Sequence, residues 1–270
     1  MLDAVLAALF GLLIGSFLNV CIFRLPRDLS VVRPRSYCPH CEKPIAWYDN
    51  VPLISFLLLK GRCRHCGESI PARYPIVEAL TAGLFFTFVL FLGPSLAALK
   101  YCLLAALLVG MIFADLEERI LPDEFTLGGV AAGLALSWVI PIADGPTQFL
   151  LAIAGAPLKG NALSLAESFI GAVVPSGFLW LTGLVFEKVR HKEGLGFGDV
   201  KMVAAIGAFL GLRGSLQTLI LGSLLGSVLG LVYIRATRKD HSSYELPFGS
   251  FLGIAAIVIG LIDAGPWGRS

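Results

Sequence analysis

Two long apolar runs are separated by the charged stretch Phe113-Ala114-Asp115-Leu116-Glu117-Glu118-Arg119-Ile120-Leu121-Pro122-Asp123-Glu124-Phe125-Thr126. The first run ends at Ala114, so Asp115 lies where a membrane-spanning helix is expected to end. An ionisable side chain at a membrane edge is energetically unfavourable and rare, and therefore marks a candidate functional site. We expect its partner to be Asp199, because that aspartate opens a later apolar run and needs only to reach the same membrane face.

The composition indicates an integral membrane protein. Of the 270 residues, 56% are hydrophobic and 15% are charged, and the mean hydropathy is +0.81. Such a chain has too little polar surface to cover a soluble globule. Apolar runs predict an all-α polytopic membrane protein with about eight transmembrane helices, at residues 2–23, 76–93, 95–114, 125–142, 165–186, 200–212, 215–234 and 248–264. The basic residues flank these runs, which argues against a nucleic-acid partner.

The distribution of basic residues predicts the orientation. No Lys or Arg precedes the first apolar run and no small-residue cleavage site follows it, so residues 1–23 are interpreted as a first transmembrane helix rather than a signal peptide. The positive-inside rule then places the N-terminus outside. In this topology all 21 basic residues face the cytoplasm except Lys100, Lys159, Arg213 and Arg269. Asp115 and Asp199 are therefore both expected at the cytoplasmic face.

Residues 24–75 form the one sizeable predicted extramembrane segment, and they contain Cys38-Pro39-His40-Cys41 and Cys63-Arg64-His65-Cys66. Two Cys-x-x-Cys knuckles fit a tetrahedral zinc site in which Cys38, Cys41, Cys63 and Cys66 are the ligands. The alternative, two disulfides or a redox pair, is disfavoured in a reducing compartment. Four thiolates leave no open position, so the Zn²⁺ is expected to be structural. Residues 76–270 are predicted to form the membrane-embedded domain that carries both aspartates.

The two aspartates suggest a chemistry. Hydrolysis of a peptide bond without a nucleophilic side chain requires a base for the water and an acid for the leaving amine, and two carboxylates that share one proton supply both. Their sequence spacing does not show that they meet, and a helix cap or an ion-pair partner is the alternative for each. Gly194, Gly196 and Gly198 precede Asp199 and permit close approach of a substrate strand. Without a preceding strand they are not a dinucleotide-binding motif.

The sequence resembles the type IV prepilin peptidases, which are the bifunctional leader peptidases and N-methyltransferases of bacterial pilus and type II secretion systems. The resemblance covers nearly the whole chain in order. It rests on both knuckles and on the segments Gly15-Ser16-Phe17-Leu18-Asn19-Val20, Arg24-Leu25-Pro26, Asn50-Val51-Pro52-Leu53-Ile54-Ser55, Arg73-Tyr74-Pro75-Ile76-Val77-Glu78, Asp115 to Thr126, Gly196-Phe197-Gly198-Asp199-Val200-Lys201 and Leu246-Pro247-Phe248-Gly249-Ser250-Phe251-Leu252.

The resemblance implies that Asp115 and Asp199 are the catalytic pair. It implies a prepilin or pseudopilin precursor as substrate, with a basic leader that ends in Gly before an apolar helix, and cleavage at the cytoplasmic face of the bacterial inner membrane. It also implies methylation of the new N-terminus from S-adenosylmethionine. Gly61 aligns with a glycine associated with that second activity, and Glu78 is predicted beside it as a partner for the cationic sulfonium or the amine. Ser250 stands where many members carry Pro, a departure that we expect to leave catalysis unaffected.

Three other functions are also compatible with the sequence. A peptidase without methylation would share the aspartates. A proton-coupled transporter would also keep acids in helices, but near the bilayer midplane and in repeat-related positions. A zinc-containing assembly scaffold would explain the cysteines and leave both aspartates without a role.

Overall fold

The computed structural model describes residues 1–142, 145–155, 158–191, 196–237 and 247–266. Within these residues the protein is helical and contains no strand, apart from two isolated bridges in residues 24–75, the cysteine segment. The helices are α1 (Leu2–Arg24), α2 (Ile54–Leu58), α3 (Arg73–Leu92), α4 (Leu96–Glu118), α5 (Asp123–Val139), α6 (Pro146–Ile153), α7 (Gly160–Arg190), α8 (Phe197–Thr237) and α9 (Phe248–Ala264). The prediction of an all-α fold is confirmed.

The chain divides into two compact units, Met1–Gly110 and Met111–Ser270. In the first unit, α1 packs along α3 through small residues. A β-carbon at Gly11 would lie 2.8 Å from the backbone of Ala82, and one at Gly15 would lie 2.7 Å from the backbone of Glu78. Glycine at these positions lets the two helix backbones approach closely, as is common between helices in membranes. The cysteine segment is the connection between these two helices.

In the second unit, α8 packs against α5, α7 and α9. Its backbone leaves the helical conformation at Gly211, where φ is 71°. Two residues of α8 on opposite sides of this break lie against neighbouring residues of α9. A β-carbon at Gly253 of α9 would lie 3.1 Å from Met202 of α8, and a β-carbon at Gly222 of α8 would lie 2.9 Å from Leu252 of α9. Twenty residues of straight helix would separate Met202 from Gly222 by about 30 Å. The chain therefore reverses direction at Gly211, and both halves of α8 contact α9.

A buried carboxylate supports this reversal. Glu167 on α7 is only 3% exposed. Its Oε1 accepts the backbone N–H of Leu212 at 2.9 Å, and its Oε2 accepts the backbone N–H of Thr147 at 3.2 Å. Helix beginnings leave backbone N–H groups without helical partners, so Glu167 satisfies one donor at the start of the second half of α8 and one at the start of α6.

Among the described residues, five helices are long and apolar enough to cross a membrane: the segments Leu2–Arg27, Arg73–Leu92, Leu96–Glu118, Gly160–Arg190 and Phe197–Val232. The protein is thus a multi-pass membrane protein, but the expected count of about eight transmembrane helices is not confirmed.

Residues 200–212 and 215–234, predicted as separate helices, belong to the two halves of α8. Helix α9 is apolar but shorter. No helix is predicted between residues 142 and 165, but α6 lies there and α7 begins at Gly160. The proposed division into residues 1–23, 24–75 and 76–270 stays a prediction.

Candidate functional site

Asp115 lies in the last turn of α4. Arg119, with a φ of 57°, takes the left-handed conformation and ends the helix, and its N–H bonds the carbonyl of Asp115 at 3.1 Å. The Asp115 side chain is buried, with 6% of its surface exposed. Its Oδ2 accepts two hydrogen bonds from Ser250 at the start of α9, one from the backbone N–H and one from the hydroxyl, each 2.7 Å long. This carboxylate is therefore held in a fixed orientation.

Asp199 lies in the first turn of α8 and is half-buried. The glycines before it place it there: a β-carbon at Gly198 would lie 3.1 Å from Leu121, and the N–H of Asp199 bonds the carbonyl of Gly196 at 3.1 Å. Gly194, the first glycine of the motif, lies outside the described residues. An acidic group in a first helical turn is favoured by the helix dipole.

The two aspartates come together at Gly249. A β-carbon at Gly249 would lie 3.0 Å from Oδ1 of Asp199 and 3.2 Å from both Cγ and Oδ2 of Asp115. The two carboxylates also repel each other electrostatically. Like charges this close do not both ionise readily, so such a pair tends to hold one proton between its members. An arrangement of this kind can activate a water and protonate a leaving group at one pH.

Lys201 lies two residues after Asp199 and forms an ion pair with Asp123 at the start of α5. Its ammonium group also lies over the ring of Phe197, 5.5 Å from the centroid. Asp123 is the first residue of α5, whose N-cap is Pro122, and its carboxylate pairs with Lys201. This pair joins the first turns of α5 and α8 beside the aspartates.

The four predicted zinc ligands converge. Ligand atoms of Cys38, Cys41, Cys63 and Cys66 all lie within 4.8 Å of one another, and Sγ of Cys38 is 3.9 Å from Sγ of Cys66. Tetrahedral zinc with Zn–S bonds of about 2.3 Å requires sulfur separations of about 3.8 Å. The cysteines form no disulfide. Their arrangement fits Zn²⁺, as the sequence predicts.

Each knuckle has the same backbone pattern. The N–H groups of Cys38 and Cys63 bond the carbonyls of Lys43 and Glu68 at 3.0 and 2.8 Å. Backbone N–H groups of Cys66 and His65 point at the Cys63 sulfur and lower the pKa of this thiol to about 7. Because metals bind the thiolate, this lowered pKa favours metal binding.

Glu78 is buried in α3 and joins the cysteine segment to the helices. Its Oε2 accepts the N–H of Leu53 at 2.8 Å, and it also interacts with the Ser16 side chain. Gly61 follows α2 with a φ of 66°, and a β-carbon there would lie 3.1 Å from the Phe56 ring. These contacts give both residues structural roles. Their role in binding S-adenosylmethionine stays a prediction.

Sequence reasoning missed Ser250 and Glu167. Ser250 is noticeable in the sequence only as a departure from Pro, and we expected that departure to have no effect on catalysis. The structure places Ser250 against Asp115, 135 positions away in the chain, and its effect on catalysis stays a prediction. Glu167 gives a weak signal, because it is an acidic residue near the beginning of an apolar run.

The family models and the similar proteins indicate the same family. Residues 9–92 match the model of the bacterial peptidase A24 N-terminal domain, and residues 101–231 match the model of the type IV leader peptidase family. The chain is 37% identical to the prepilin leader peptidase/N-methyltransferase of Aeromonas hydrophila, over 98% of this chain and 91% of that protein.

Two further relatives agree. A protein of Myxococcus xanthus with the same name is 41% identical over 88% of this chain and 65% of its own length. The type 4 prepilin-like proteins leader peptide-processing enzyme of Escherichia coli is 36% identical over 94% of this chain and 91% of its own length. No solved structure matches. The chain belongs to the type IV leader peptidase family.

Proposed function

We propose that the protein is a prepilin leader peptidase and N-methyltransferase of the inner membrane. It removes the basic leader of a type IV prepilin or pseudopilin and methylates the N-terminus that cleavage exposes. Relatives with both activities in their names support this proposal over most of the chain. The observation that carries the peptidase part is the meeting of Asp115 and Asp199 at Gly249. A transporter is not favoured, because the three relatives described above are all named for leader-peptide processing.

Cleavage follows from the aspartate pair. The ionised carboxylate takes a proton from a water, whose oxygen attacks the scissile carbonyl carbon while the protonated carboxylate donates its proton to the carbonyl oxygen. The tetrahedral intermediate then collapses: one of its hydroxyls returns a proton to the carboxylate that had donated one, the C–N bond breaks, and the leaving amine takes the proton held by the other carboxylate. The orientation predicted from the basic residues puts this reaction at the cytoplasmic face, where the basic leader would lie.

The cysteine segment and S-adenosylmethionine have separate roles in the proposed function. Cys38, Cys41, Cys63 and Cys66 would hold Zn²⁺ through four thiolates, so the metal would stabilise residues 24–75 and would offer no position for a substrate. S-adenosylmethionine, when bound, supplies the methyl group. The resemblance assigns Gly61 to this activity, and Glu78 is the predicted partner for the cationic sulfonium or the amine. Because Glu78 already binds the Leu53 N–H, we expect it to act by holding the segment that precedes Gly61.

The product itself tests the proposed function. We expect that the purified full-length protein in phospholipid vesicles, given a prepilin and S-adenosylmethionine, releases a pilin that lacks the leader and carries one added methyl group. Mass spectrometry of the pilin N-terminus measures both changes. An uncleaved precursor would contradict the peptidase assignment. A cleaved but unmethylated product would show that the protein is a peptidase without methyltransferase activity.

Changes at Gly61 or Glu78 are expected to reduce methylation more than cleavage. A side chain at Gly61 meets the Phe56 ring and must adopt a φ of 66°, while Glu78→Gln weakens the acceptor for the Leu53 N–H. Both changes disturb the first unit and leave the aspartates of the second unit intact. The same mass-spectrometric assay on Gly61→Ala and Glu78→Gln gives the ratio of the two activities, with Gly83→Ala as a control because a β-carbon there has no neighbour within 4 Å. Equal loss of both activities would show that this division of roles is wrong.

A further inference from the structure

The hydrogen bonds of Ser250 distinguish the two aspartates. Its backbone N–H and its hydroxyl both donate to Oδ2 of Asp115, at 2.7 Å each. In the part of the chain that the structure describes, no donor bonds the Asp199 carboxylate. Hydrogen bonds from two donors stabilise a carboxylate in its charged form. Ser250 therefore favours the arrangement in which Asp115 is ionised and Asp199 carries the shared proton.

The Ser250 hydroxyl has a second acceptor within reach. The carbonyl oxygen of Ile112, one turn before Asp115 on α4, lies 3.2 Å from Oγ. A hydroxyl has one proton to donate and can accept a hydrogen bond at the same time. When Asp115 is ionised, the hydroxyl donates to Oδ2. When Oδ2 carries a proton, that proton can be donated to Oγ while the hydroxyl turns to Ile112.

We propose that Ser250 is a positioning residue of the peptidase site, which makes Asp115 the base and follows its change of protonation by turning its hydroxyl between Asp115 and Ile112. This proposal rests on the proposed function of the aspartate pair. In the catalytic cycle, Asp115 gains a proton from the attacking water and later returns it to the leaving amine. The hydroxyl keeps Oδ2 hydrogen-bonded in both states, and no atom of Ser250 is consumed. Proline at this position could supply neither donor.

Removal of the hydroxyl tests the proposal. Ser250→Ala keeps the backbone N–H and loses the rotating donor, so we expect kcat for prepilin cleavage to fall about 10- to 100-fold, the effect of one charge-assisted hydrogen bond. The KM for the prepilin is expected to stay unchanged, because Ser250 is only 2% exposed and lies behind Asp115. Methylation of a pilin supplied without its leader is expected to stay unchanged as well. Ser250→Thr, which keeps the hydroxyl, should restore most of kcat.

Ser215→Ala is the matched control, because Ser215 is a buried serine on α8 whose hydroxyl has no hydrogen-bond partner among the residues that the structure describes. A Ser250→Ala enzyme with normal kcat would overturn the proposal. So would a Ser250→Thr enzyme as slow as the alanine variant, because packing rather than the hydroxyl would then explain the loss. If the alanine variant does not accumulate in the membrane, Ser250→Cys, a much weaker donor of similar size, takes its place with the same expectation. Normal cleavage by Asp115→Asn would instead refute the aspartate pair itself, so the two failures are distinguishable.

Discussion

Asp115→Asn and Asp199→Asn are each expected to lower the rate of leader cleavage by about a thousandfold or more, while the protein stays folded in the membrane. Asparagine keeps the shape of the side chain but can neither take up nor deliver the proton that hydrolysis requires. At position 115 the amide oxygen can still accept the two hydrogen bonds from Ser250, provided that it occupies the place of Oδ2. The loss should therefore come from chemistry rather than from misfolding.

The measurement is the rate of prepilin cleavage by each purified variant in vesicles, with methylation of a leaderless pilin as the test of folding. Asp263→Asn is a suitable control. It removes a half-buried aspartate at the other end of α9, about 20 Å along the helix from Ser250. We expect its cleavage rate to equal that of the native protein. Substantial cleavage by either single variant at position 115 or 199 would exclude that residue from the reaction.

The second large effect concerns the metal. We expect the Cys38→Ser, Cys63→Ser double variant to lose its zinc and the folded structure of residues 24–75, because one ligand is removed from each knuckle. Structural zinc contributes about 10–16 kcal/mol to the folding of small zinc-binding domains. Elemental analysis measures the metal, and limited proteolysis in vesicles measures the folding of the segment.

Cys102→Ala provides the control for this variant. Cys102 is a buried cysteine of α4 outside the cluster, so its removal should leave the zinc content unchanged. A double serine variant that keeps both its metal and its resistance to proteolysis would show that the four cysteines do not hold a structural zinc ion.

Local sequence patterns predict much of this protein. Apolar runs locate most of the helices to within a few residues, because a helix that crosses lipid must bury its polar backbone within itself and expose apolar side chains. The spacing within each Cys-x-x-Cys knuckle predicts the cluster of thiols, because a short turn is enough to bring its two sulfurs together.

Contacts between distant segments could not be predicted in this way. Gly211 is one of 30 glycines, and nothing nearby shows that the chain reverses there, because the reversal depends on Glu167 from another helix. The role of Ser250 depends on the packing of α9 against α4, which places a hydroxyl beside a carboxylate far away in sequence. The membrane face of Asp115 and Asp199 stays a prediction from the charge distribution, whereas their meeting at Gly249 is visible only in the folded structure.

The central claim is that Asp115 and Asp199 act as one catalytic unit, and the cleavage rate of the Asp115→Asn, Asp199→Asn double variant tests it most directly. Residues that share one proton in one step are expected to show strongly non-additive losses. The account predicts that the double variant cleaves prepilin at about the same residual rate as either single variant. A double variant slower by the product of the two single losses would show that the carboxylates act independently, and would contradict the account.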